Sequence, residues 1–257
     1  MADVLVCVKR VPDFSGEVLL SDDAQSADAR YVGHTLSNHD LCAVETAVQL
    51  AAATGGSATV LTVGSPDGVE QLRTALGVGC TAATLVEADP VTLGPADVAR
   101  EIAAVVAEHE AGRASAYDLV LLGNDAADSG DFQVGIRLAK LLGRPVVTGV
   151  QTVTLDGDRA TLVSHVAEGR ETYRVPTPAV VTVLEGGVEP RYPTITGRMK
   201  AKKIPVEERA LSAEPVGSGR VRLRLPAAQA EHSTLLGEGP EAAPAVVDLL
   251  QQLGVAR

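Results

Sequence analysis

Short apolar runs of four to six residues alternate with helix-period stretches over the first two-thirds of the chain, and that alternation leaves few folds open. Val4–Val8, Ala58–Val63, Ala83–Val86, Asp118–Leu122 and Pro145–Thr148 read as buried strands. Between them lie helical stripes: Leu41, Val44, Val48 and Ala51, then Val69, Leu72 and Leu76, then Val98, Ile102, Val105 and Val106 at i, i+4, i+7 and i+8. Ser37-Asn38-His39-Asp40 predicts a capping box ahead of a helix ending near Ala53, and Phe132–Leu142 predicts another helix closed by Gly143. Five strands separated by helices imply a parallel sheet with right-handed crossovers, covered on both faces.

After Val150 the period changes. Gln151–Leu155 and Arg159–Ser164 around Asp156-Gly157-Asp158 predict a hairpin, with further strands at Arg170–Arg174 and Ala179–Leu184. From Glu185 to Pro226 the apolar pattern thins, and a weak helix, Ala245–Leu253, closes the chain. The expected organisation is an α/β domain over 1–184, followed by a loop and C-terminal arm over 185–257. The predicted fold class is α/β, an open and mostly parallel sheet with helices on both faces, plus antiparallel additions.

Composition narrows the function. Aromatics are only 2% of the 257 residues, too few to build base-stacking platforms. A net charge of −11 argues against non-specific binding to nucleic acid or an anionic membrane. The charge is uneven: residues 1–184 carry −12, residues 185–224 carry +4 and the remainder −3. A basic island on an acidic chain suggests a docking surface. Cys7, Cys42 and Cys80 form no C-x-x-C, and no His-Glu-x-x-His spacing occurs, so neither a disulfide framework nor a zinc site is expected. Val4–Val8 is too short for a signal segment, and nothing approaches 18 continuous apolar residues. The expectation is a cytoplasmic protein with no membrane insertion.

Open parallel sheets bind ligands beyond the carboxyl ends of their strands. The loop after Asp118–Leu122, running from Gly123 to Gly135, leaves a strand, carries three glycines and enters a helix. Amides of Phe132, Gln133 and Val134 would be the free donors of that helix start, suited to a phosphate. The aspartates Asp125, Asp128 and Asp131 oppose an anion there unless they face a ribose or cap the helix. Gly77-x-Gly79-x-x-Ala82 matches a dinucleotide fingerprint in letters only, since it follows a helix and precedes a strand. No nucleophile is paired with a base, so no catalytic residue is assigned. The pattern suits a protein that holds a nucleotide without turning it over.

Three segments carry a resemblance: Val6-Cys7-Val8-Lys9-Arg10-Val11-Pro12-Asp13, Asp118–Gly123 with its loop, and Glu189-Pro190-Arg191-Tyr192-Pro193-Thr194-Ile195-Thr196-Gly197-Arg198-Met199-Lys200-Ala201-Lys202-Lys203. Together they resemble the beta (small) subunit of electron transfer flavoprotein. The last is the most specific: only five lysines stand against 17 arginines, and three of the five fall within Lys200–Lys203.

The resemblance implies an adenine-nucleotide alpha-hydrolase-like fold and a non-catalytic subunit. Its partner would be an alpha subunit that holds most of the FAD, and the pair would carry electrons from flavin dehydrogenases towards an acceptor such as a quinone oxidoreductase. It implies a structural AMP, contacted by Cys7, Ser37, Asn38, His39, Asp40, Gly64, Gly123, Asn124, Asp125, Ala126, Asp128, Gly130, Asp131, Phe132, Gln133 and Val134. Phe14 maps near the flavin. Arg191, Tyr192, Ile195, Met199, Lys200 and Lys203 map to a partner-recognition loop, with Ile195 as its aliphatic anchor. Two departures, Ser37-Asn38-His39 before Asp40 and the pair Asn124-Asp125, leave a second FAD in the pocket, as in an electron-bifurcating subclass, as an alternative. A stand-alone nucleotide sensor of the universal-stress type is the other alternative, but its late glycine-rich loop is not visible here.

Overall fold

The computed structural model describes residues 1–13, 18–28, 30–226 and 234–255. In chain order, β1 (Asp3–Cys7) and β2 (Val11–Pro12) are followed by β3 (His34–Thr35), α1 (Asn38–Thr54) and β4 (Ser57–Gly64). Then come α2 (Val69–Val78), β5 (Ala82–Glu87), α3 (Pro95–Ala111), β6 (Leu119–Gly123), α4 (Val134–Leu142) and β7 (Val146–Val150). The antiparallel additions are β8 (Thr152–Asp156), β9 (Arg159–Val166) and β10 (Gly169–Pro176). The series ends with β11 (Ala179–Val183), α5 (Ile195–Ala201), β12 (Val206–Ala210) and α6 (Ala243–Gln252).

Seven strands form the main sheet in the order β12-β5-β4-β1-β6-β11-β7, with every pairing parallel. Strand side chains alternate between faces. Val4 and Val6 of β1 therefore join a core with Ala47, Val48 and Leu72 of α1 and α2, while Leu5 and Cys7 join one with Ile102, Val106 and Leu138 of α3 and α4. With few aromatics in the chain, both cores are mainly aliphatic, and buried Tyr117 adds a ring to the second. The chain leaves β1 for one face and β6 for the other, which makes the region beyond their carboxyl ends the usual ligand crevice of such sheets.

The predicted strands and helices are present, with three differences in placement. Ala179–Val183, grouped by sequence with the hairpin strands, lies inside the parallel sheet between β6 and β7. All five of its residues are buried, as a parallel strand requires. The stretch after Glu185, expected as a loop and arm, supplies an edge strand, β12, paired with β5. The expected recognition loop contains a helix, α5, because the Thr194 side chain caps it by accepting from the Gly197 amide at 3.0 Å.

The chain forms two compact units, Met1–Leu223 and Arg224–Arg257. In the first, the segment after β12 is fastened along α3. Fully buried Asp97 accepts from the amides of Gly94, Val216 and Gly217 at 2.8–2.9 Å, and Glu101 accepts from the amide and hydroxyl of Ser212. The second unit contains α6, none of whose described residues is buried. No helix among the described residues is long and apolar enough to cross a membrane.

Candidate functional site

The crevice between β1 and β6 is organised by Asp40. Ser37 caps α1 by accepting from the Asp40 amide at 3.1 Å. The Asp40 carboxylate does not complete a capping box. It turns across the sheet instead, Oδ2 accepting from the Lys9 amide at 3.0 Å and Oδ1 from the Gly123 amide at 3.2 Å. One buried carboxylate thus ties the exits of two neighbouring strands. Burial pushes this carboxyl up to about 6, the two amides and the nearby Lys9 and His39 opposing the rise.

Two of the three aspartates in the loop above have side-chain partners. Asp125 pairs with His39, Oδ1 to Nδ1 at 2.7 Å, and Asp128 pairs with the Lys9 ammonium at 2.7 Å. Asp131 is exposed and Ala126 half-buried. Asn124 faces inward: its Oδ1 accepts from the Gly149 amide at 2.9 Å and the Thr182 hydroxyl at 2.7 Å, bracing β6 against β7 and β11.

The loop bends at Gly130 (φ +58°) and again at Phe132 (φ +54°), a left-handed conformation uncommon outside glycine and worth noting where a ligand is expected. Gln133 then flanks α4 as its N-cap residue, so the helix begins two residues later than the sequence suggests. The Arg137 amide closes the first turn on the Gln133 carbonyl, and the Arg137 guanidinium reaches back to Gln133 Oε1 at 2.8 and 3.0 Å. The first amides of α4 have no helical acceptor, and a cation stands one turn behind them. A Cβ placed on Gly64, at the end of β4, or on Gly130, in the loop after β6, would meet nothing within 4 Å, so both positions face open space.

The expected site residues are brought together on these loops, with different duties. Ser37 and Asp40 shape the crevice. Asn38 donates to Glu185 at 3.3 Å, towards the following segment. The Cys7 side chain points into the core, where burial and the Asp40 charge push its thiol up, so only its backbone is at the crevice. Val134 is half-buried at the start of α4, and Phe14 lies outside the described residues. Among the described residues no cluster of three or more His, Cys, Asp or Glu side chains could hold a metal.

The second surface is α5 with the turn before it. Tyr192 and Ile195 are each 81% exposed and Met199 is 63% exposed. Ile195 and Met199 stand four apart on one face of α5, with Lys200 and Lys203 exposed beside them. Arg191 turns inward to Glu45 of α1, its Nε donating to both carboxylate oxygens at 2.8–2.9 Å and Nη2 donating at 2.6 Å. Glu45 is 2% exposed. Burial would raise its carboxyl, but Arg191 and Gln49 hold it below the usual range. Sequence reasoning missed Glu45, because its partner Arg191 lies 146 residues further along the chain and nothing local links the two.

Residues 27–214 match the electron transfer flavoprotein domain. The chain is 35% identical over 228 residues to the electron transfer flavoprotein subunit beta of Syntrophomonas wolfei, covering 88% of this chain and 87% of that protein. It is 33% identical over 258 residues to the subunit of the same name from Bacillus subtilis, covering 97% of each. To the human subunit it is 36% identical over 208 residues, covering 79% of each.

Proposed function

This chain belongs to the electron transfer flavoprotein beta-subunit family, a component of an electron carrier, and from that premise we propose that it is a nucleotide-holding, partner-docking half of a heterodimer. An alpha subunit would hold most of the FAD, which supplies the redox chemistry. This chain would hold a structural AMP and present α5 to flavin dehydrogenases, and the pair would pass electrons to an acceptor such as a quinone oxidoreductase.

The observation that supports the nucleotide assignment is the Asp40 tie between Lys9 and Gly123, which holds together the end of β1 and the start of the loop that leads to α4. The residues suit an adenylate. Amides of Phe132, Gln133 and Val134 would receive the phosphate. Of the aspartates that would repel it, Asp128 is paired with the Lys9 ammonium and Asp125 is held by His39, and Gly64 and Gly130 leave room that a side chain would fill. Asn124 and Asp40 also hold the surrounding backbone.

The docking assignment rests on Tyr192, Ile195 and Met199, apolar side chains exposed beside lysines. A small apolar patch with a basic rim makes a modest interface, suited to a partner that must leave after each transfer.

Co-expression with an alpha subunit tests the assembly. Co-purification of both chains as a yellow complex is expected. A chain that stays alone and binds stoichiometric FAD by itself would count against it.

A further inference from the structure

Seven residues of helix do not hold their shape unaided in water, so α5 needs support from its neighbours. Three separate contacts supply it. At its carboxyl end, Arg73 of α2 donates through one guanidinium nitrogen to the carbonyls of Ala201 and Ile204. Those acceptors lie beyond the helix's own hydrogen bonding, and a positive charge is favourable at that end.

Along its length, α5 approaches α2 through two glycines. A Cβ on Gly197 would overlap the Gly77 carbonyl oxygen, and one on Gly77 would lie 2.9 Å from Pro193 Cβ. Ahead of it, the ion pair of Arg191 with buried Glu45 fixes the incoming chain on α1. Ala201, 1% exposed, closes the inner face into the core while Ile195 and Met199 stay outside.

We infer that Arg73 and Gly77 of α2, with Glu45 of α1, are positioning residues that hold α5 in its docking shape before any partner arrives. This rests on the docking role proposed above for α5. None of the three belongs to the exposed patch or the nucleotide crevice. Their action is on the cost of binding: a segment already ordered loses little freedom when a partner closes on it, whereas a loose one must be ordered at each encounter. For a carrier whose patch is small, that difference decides whether contact is productive.

The heterodimer, with Arg73→Gln, Gly77→Ala or Ile195→Ala in this chain, tests the inference against a purified flavin dehydrogenase that reduces the unaltered complex. Hydrogen exchange over 191–201 reports the order of α5, and steady-state reduction separates half-saturating dehydrogenase concentration from limiting rate. Arg73→Gln and Gly77→Ala are expected to speed exchange in α5 and to raise the half-saturating concentration about five- to tenfold, with limiting rate and flavin content unchanged. Gly77→Ala is informative because alanine favours helix at that position, so a loss does not come from a lower helix propensity of α2.

Unchanged exchange, or faster exchange with unchanged half-saturation while Ile195→Ala impairs it, would overturn the positioning role and leave docking standing. No effect from Ile195→Ala would remove the docking reading, and this inference with it.

Discussion

Gly123 and Asp40 stand at the limit of close approach: the Gly123 amide donates to Asp40 Oδ1 at 3.2 Å, and a side chain on Gly123 would collide with that oxygen. The end of β6 is therefore held against the first turn of α1 by a contact that only glycine permits. Gly123→Ala should force the carboxylate away and open the crevice. A stability loss of about 1–3 kcal/mol is expected, comparable to leaving a buried polar group unpaired. Urea denaturation checks the loss, and less nucleotide retained after gel filtration checks the opening.

Asp40 also makes a pH prediction. Its folded carboxyl, at about 6, lies above the ordinary 3.8. The folded protein therefore binds more protons than the unfolded chain between those values. Asp40's contribution is most favourable below about pH 4 and is lost as pH rises through about 6. Asp40→Asn removes that dependence. Its stability relative to the parent should improve between pH 5 and pH 7 by about 1.3 kcal/mol, whatever its constant cost in hydrogen bonding. Parallel urea titrations at the two pH values give the difference; a constant gap would refute it.

Asp97 carries the opposite sign. Burial alone would raise its carboxyl, but the amides of Val216, Gly94 and Gly217, with Arg100, outweigh it and hold the group at about 2. The stability it provides is present above the ordinary 3.8 and disappears as pH falls through about 2. Asp97→Ala leaves three amides without this acceptor and should cost roughly 2–4 kcal/mol. Limited proteolysis should find residues 212–217 newly accessible while the sheet remains intact.

Ile195→Ala should behave differently from all of these. The side chain is 81% exposed, so melting temperature should move by less than about 1 °C, while electron uptake from a dehydrogenase slows several-fold. Stopped-flow reduction of the heterodimer's flavin measures the second effect, and an unaltered rate would show that α5 is not the docking element.

Much of the sheet is legible in the sequence because its strands are continuous aliphatic runs and its helices are amphipathic, features set within a few residues of one another. Val4–Val8 and Asp118–Leu122 are read this way, and the helix start after the β6 loop follows from the same local signals. What the sequence hides is partnership at a distance. β12, Val-Glu-Glu-Arg-Ala, has no apolar alternation and becomes a strand because β5 offers an edge. Nothing local places β11 between β6 and β7, and nothing in Thr194–Ala201 shows that Arg73, more than 120 residues earlier, will cap it. In the site the residue types were legible but their duties were not. Asp40 resembles a capping-box acid, yet Lys9 and Gly123 hold its oxygens.

The crevice itself offers the sharpest test. The heterodimer should be purified, denatured and its released nucleotides separated by liquid chromatography. About one AMP for each copy of this chain is expected, beside the FAD of the alpha subunit. A second equivalent of FAD in place of AMP, or no nucleotide beyond the alpha subunit's FAD, would contradict it.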